Sequence, residues 1–88
     1  MKADQTNDAE ALALGALGWT LSDDARAQRL VALTGLTPAG MRESLADRTF
    51  LAAVLRFLEA HEPDLVACAD ELNVAPTALV AAREALEG

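Results

Sequence analysis

The chain has 88 residues, 52% of them apolar, and carries a formal net charge of −7. That length holds one domain with a single small core, and the apolar fraction is far above that of a disordered chain. The charge works against binding nucleic-acid phosphates or an anionic membrane surface, and a single cysteine, Cys68, excludes an intramolecular disulfide.

Twenty Ala and fifteen Leu dominate, with Trp19, Phe50 and Phe57 as the only aromatics. Ala and Leu lose little side-chain freedom in a helix, β-branched residues are sparse, and no segment alternates strictly. The expected fold is all-α: one compact bundle of five to six short helices.

Residues 1–6 are polar and read as a flexible tail, leaving 7–88 as the domain. Asn7 precedes Glu10 by three in a capping-box arrangement, so a first helix is expected over 8–21. Leu14, Leu17 and Leu21 form one apolar stripe and Leu12, Ala16 and Trp19 a second, a breadth that suits a central helix. Gly15 and Gly18 inside it cost about 1 kcal/mol each relative to Ala, which close helix approach would offset. Ser22 is the expected cap of the next helix, with Asp23 and Asp24 in its first turn. Ala27, Leu30, Val31 and Thr34 face inward there, and Gly35 ends it.

Thr37-Pro38 opens a short third helix over 38–46. Asp47 caps a fourth with a clear period of Phe50, Leu51, Val54, Leu55 and Leu58. Glu62-Pro63 ends it and starts a fifth, which carries Leu65, Val66, Ala69 and Leu72 inward and ends at a left-handed Asn73. Pro76 starts the sixth, with Leu79, Val80, Ala82 and Leu86 inward. Connections are two to four residues long, so no second domain is expected. TGLTPAGM (34–41) and LNVAPTAL (72–79) echo one another, as an Ala-, Leu- and Pro-start-rich chain does by chance.

Convergent chemistry is missing from the pattern. One His and one Cys do not make a metal site. His61 and Cys68 are seven apart with Pro63 between them, which breaks the helix that would align them. Carboxylates such as Asp23/Asp24 and Asp70/Glu71 are sequence neighbours and diverge on a helix, whereas acid–base catalysis needs two acids facing one cavity. GALG (15–18) lies mid-helix without a preceding strand, so it is no phosphate loop. No catalytic residue, cofactor, metal or small-molecule ligand is expected.

The last two helices read as a helix-turn-helix-like pair, with Ala69 at the crossing and Leu72, Val74 and Leu79 locking it. A DNA-reading helix presents Arg, Lys, Asn or Gln to base edges. PTALVAAREALEG offers only Thr77 in its leading half. Residues 59–88 hold seven acids against Arg83 alone, a net of −6. A DNA-binding regulator is therefore the second reading, behind a non-enzymatic protein-interaction or regulatory module.

The basic residues lie elsewhere. Arg26, Arg29, Arg42, Arg48 and Arg56 face only Glu43 and Asp47 between positions 26 and 56, a segment suited to docking a charged protein or another copy of the chain. With Trp19, a residue type enriched in binding hot spots, they are the candidate partner-binding residues. Arg83 is expected to pair with Glu84 or Glu87. The acidic start and an apolar run of only eleven residues argue against a leader or membrane span, so a cytoplasmic setting is expected.

EALALGALGWTLSDD, RLVALTGLTPAGMRESLAD and FLAAVLRFLEAHEPDLVACADELNVAP, in that order, resemble an uncharacterised family of small alphaproteobacterial proteins, domain of unknown function 3572. The matching features are the helix ending in Trp19, the turn at 33–38, Phe50-Leu51, and Pro76 opening the last helix. The resemblance implies a small bacterial protein and assigns no catalytic or binding residue. An excess of Arg over Lys, six to one, fits a GC-rich bacterial genome.

Overall fold

The computed structural model describes residues 2–88, with side chains from Asp8 onward. Six helices follow in order: α1 (Lys2–Leu21), α2 (Asp24–Thr34), α3 (Pro38–Glu43), α4 (Arg48–Glu59), α5 (Glu62–Glu71) and α6 (Pro76–Glu87). No strand occurs among the described residues, so the expected all-α bundle is the fold.

Helix ends follow local chemistry, with three differences from expectation. α1 starts at Lys2 and not near residue 8, because Lys2 to Thr6 contain no helix breaker. Asn7 is therefore inside the helix and not its cap, and Met1 of the expected tail lies outside the described residues. The cap of α2 is Asp23, whose carboxylate accepts from the Arg26 N–H at 3.0 Å, while the Ser22 hydroxyl donates back to the Trp19 carbonyl. α3 stops at Glu43, three residues early. The Ser44 amide donates to the Gly40 and Met41 carbonyls, and the Asp47 amide donates to Ser44 O at 2.9 Å. This turn frees the Asp47 side chain to accept from Thr49 N–H and cap α4. Gly35 and Asn73 take left-handed φ of 72° and 61°, as expected of helix-ending residues.

α1, α4 and α6 pack on one another as the core, and α2 and α5 lie against it. α4 buries Phe50, Leu51, Val54, Leu55 and Leu58, its whole predicted stripe. α6 adds Leu79, Ala82 and Leu86. α1 contributes small residues, Ala9, Ala13 and Ala16, together with Leu17 and a buried Thr20 whose hydroxyl donates to Ala16 O at 2.8 Å. Small side chains on this face let α6 approach closely, so the wide apolar arc expected of α1 narrows. Leu14 (41% exposed) and Leu21 fall outside it. α3 is anchored by the buried Met41.

α5 and α6 meet at 98°. Val74 N–H donates to Ala69 O at 2.9 Å and Asn73 N–H to Asp70 O at 3.1 Å, the paired bonds of a Schellman turn. Ala69 is buried at the crossing. Leu72 reaches α1 at Gly15, where an added Cβ would lie 3.1 Å from the Leu72 Cδ2 atom. The close approach expected at the α1 glycines is real at Gly15 and absent at Gly18, which faces open space.

Candidate functional site

Among the described residues, groups that do chemistry do not converge. No set of three or more metal-ligating side chains comes together among the described residues. Cys68 is fully buried in α5, and burial pushes its thiol up to about 11, opposed by the charge of Arg26 and aided by that of Asp64. At neutral pH it is a packed thiol and not a thiolate. His61 sits exposed between α4 and α5, at the N-cap of α5 without a side-chain cap bond.

The arginines have individual fates. Arg26 lies over the Trp19 ring at 3.7 Å and donates from Nη2 to the Trp19 carbonyl at 3.0 Å and the Ser22 hydroxyl at 3.3 Å. Its Nε is buried with no hydrogen-bond partner among the described residues. Trp19 itself is half-buried against the core, so these two residues brace the α1–α2 corner. Arg48 donates to Ala85 O at 2.8 Å, satisfying one of the free carbonyls at the end of α6. Arg29 pairs with Asp64 at 2.8 Å and stands 5.5 Å over Phe57. Arg56 pairs with Glu87. Arg83, expected to pair only along its own helix, bridges Glu59 of α4 as well as Glu87, and bonds to both carboxylates raise its pKa. Glu87 is held below the usual carboxylate range chiefly by the hydrogen bond from Arg56, with Arg83 adding and burial opposing. Arg42 is exposed on α3 and forms no ion pair among the described residues.

The basic middle of the chain is thus partly answered by its acidic last third from within. What remains outward is a groove of about 640 Å³ between α2 and α4. Leu33, Ala53, Phe57 and Ala60 form its apolar wall, and Arg29, Arg56 and His61 its rim. Leu33 is 63% exposed, more than any other large apolar side chain described. Phe57 is half-buried in the groove. A smaller groove of about 300 Å³ separates α1 from α3, with Leu14, Leu21 and Leu45 beside Arg42.

Of the six candidate residues, Arg29 and Arg56 meet at one groove, Arg42 stands at another, and Trp19, Arg26 and Arg48 serve intramolecular contacts. Leu33 and Phe57 escaped the reading by residue type, because apolar side chains on amphipathic helices are read as core. A signal existed: Leu33 lies to one side of the face formed by Ala27, Leu30, Val31 and Thr34, one turn from Arg29.

Residues 6–88 match the family described as "Protein of unknown function (DUF3572)", and the chain belongs to that family. Neither a curated protein nor a solved structure matches it.

Proposed function

We propose that this domain is a non-enzymatic protein-interaction module of the bacterial cytoplasm, and that it docks a helical segment in the groove between α2 and α4. The observation that carries this reading is Leu33, an exposed leucine that shares one groove with Phe57, Arg29 and Arg56. Apolar area of this kind, rimmed by polar groups, is where a partner gains most from excluding water. An amphipathic helix presenting apolar residues at i, i+3, i+4 and i+7 has the shape for such a groove.

DNA recognition through α5 and α6 has the crossing angle but lacks the side chains. The outward residues of α6 include Thr77, Ala81 and Glu84, and none is basic. Its Arg83 is tied to Glu59 and Glu87.

The test is an NMR titration with a designed amphipathic helical peptide of about four turns, Leu on one face. Amide shifts gathered on Leu33, Ala53, Phe57 and Ala60 support the reading. Shifts absent from those residues, or scattered over the surface, overturn it.

A further inference from the structure

We infer that the occupant of this groove is helix α5 of a second copy of the chain; this rests on the docking role proposed above. α5 carries an outward stripe of Glu62, Val66 and Asp70, four residues apart and all exposed. Val66, expected in the core, is 48% exposed because the buried side of α5 runs through Leu65, Cys68, Ala69 and Leu72 instead. The result is an apolar anchor with a carboxylate one turn before it and one turn after it. Neither Glu62 nor Asp70 forms an ion pair among the described residues.

The groove has the complementary chemistry. Leu33 and Phe57 are apolar lining, and Arg29 and Arg56 line the same groove with side chains 47% and 61% exposed. A guanidinium has five N–H donors. Arg29 commits Nη2 to Asp64 and Arg56 commits Nε to Glu87, so both keep donors for an incoming carboxylate.

Placement favours a head-to-tail chain of copies over a two-fold pair. His61 lines the groove and also stands at the N-cap of α5, and Asp64 in the first turn of α5 touches Arg29. Asp64 is two residues from both Glu62 and Val66, so it stands about 160° round α5 from the stripe. Groove and stripe thus face different sides of the molecule, and each copy gives its stripe to one neighbour and receives the stripe of another. The net charge of −7 on each copy opposes association. At physiological salt that repulsion is screened beyond about 8 Å, while the groove–stripe contacts fall inside that distance.

Sedimentation equilibrium up to about 1 mM, the weak end of specific association, tests this. The wild-type mass is expected to rise steadily above 9.2 kDa with concentration. Leu33→Asp and Val66→Asp, both at exposed positions, should each weaken association at least tenfold while leaving the helical circular-dichroism spectrum unchanged. The decisive arm uses two double variants. Arg29→Glu with Arg56→Glu makes groove and stripe both acidic, and Glu62→Arg with Asp70→Arg makes both basic. Each should be monomeric alone, and an equimolar mixture should associate again, which a misfolded variant could not do. A wild-type mass fixed at 9.2 kDa overturns the inference, as does association indifferent to Leu33→Asp and Val66→Asp, or a mixture that stays monomeric. If the designed peptide still binds the groove in those cases, the docking role stands and only its occupant is wrong.

Discussion

The guanidinium of Arg26 lies 3.7 Å over the ring of Trp19 and donates a hydrogen bond to the carbonyl of the same residue. One side chain on α2 thus covers the face of an aromatic on α1 and adds a hydrogen bond to a carbonyl at the end of α1 that Ser22 also bonds. Arg26→Ala should cost about 1–2 kcal/mol by removing the cation–π contact and the hydrogen bond together. Trp19 is the chain's only tryptophan, so its emission, followed through urea unfolding, reports both the loss of stability and a change in its native environment. Unchanged emission and midpoint would show that the corner does not depend on this contact.

The two α1 glycines should respond differently to alanine. Gly18 faces open space, so Gly18→Ala gains helix propensity and stabilises by up to about 1 kcal/mol. Gly15→Ala places its methyl 3.1 Å from the tip of Leu72, which must shift, and the gain shrinks or reverses. Thermal unfolding should rank Gly18→Ala above Gly15→Ala.

Acid should weaken the link from α6 to α4. The folded pKa of Glu87 lies below its ordinary value of 4.5, so its contribution is present above pH 4.5 and lost as pH falls through the depressed value. Glu87→Gln should flatten the loss of stability below pH 4.5 relative to wild type, measured by urea unfolding across that range. Parallel curves for the two proteins would contradict the role given to Arg56.

Cys68 should be protected from thiol reagents in the native state. It is fully buried, and its pKa of about 11 leaves little thiolate at pH 8. Its raised pKa contributes stability below its ordinary value of 9.0 that is lost as pH rises toward 11. Labelling by iodoacetamide at pH 8 should follow the unfolding equilibrium, accelerating with urea. Rapid labelling without urea would show that α5 opens locally.

Much of the fold was legible because its signals are local. The α4 stripe, the Asp47 cap, Gly35, Asn73 and Pro76 each declare themselves through period or backbone preference, and all stand where expected. Burial by neighbouring helices was less legible. Leu14 and Val66 look like core residues in sequence and are exposed, because which side of a helix faces inward depends on partners distant in the chain. The candidate site was half legible for the same reason. Arg29 and Arg56 stand out by charge, whereas the pairing of Arg29 with Asp64, 35 positions away, and the exposure of Leu33 are products of tertiary packing.

The most direct test of the docking role is the affinity of the designed amphipathic peptide for wild type and for Leu33→Asp. At 63% exposure, Leu33 bears little of the core, so the aspartate should leave unfolding free energy within about 0.5 kcal/mol of wild type. The account predicts at least a tenfold loss of peptide affinity for that variant, as expected when a charge replaces the apolar anchor of a docking surface. Equal affinity for the two proteins would place the docking surface elsewhere and contradict the account.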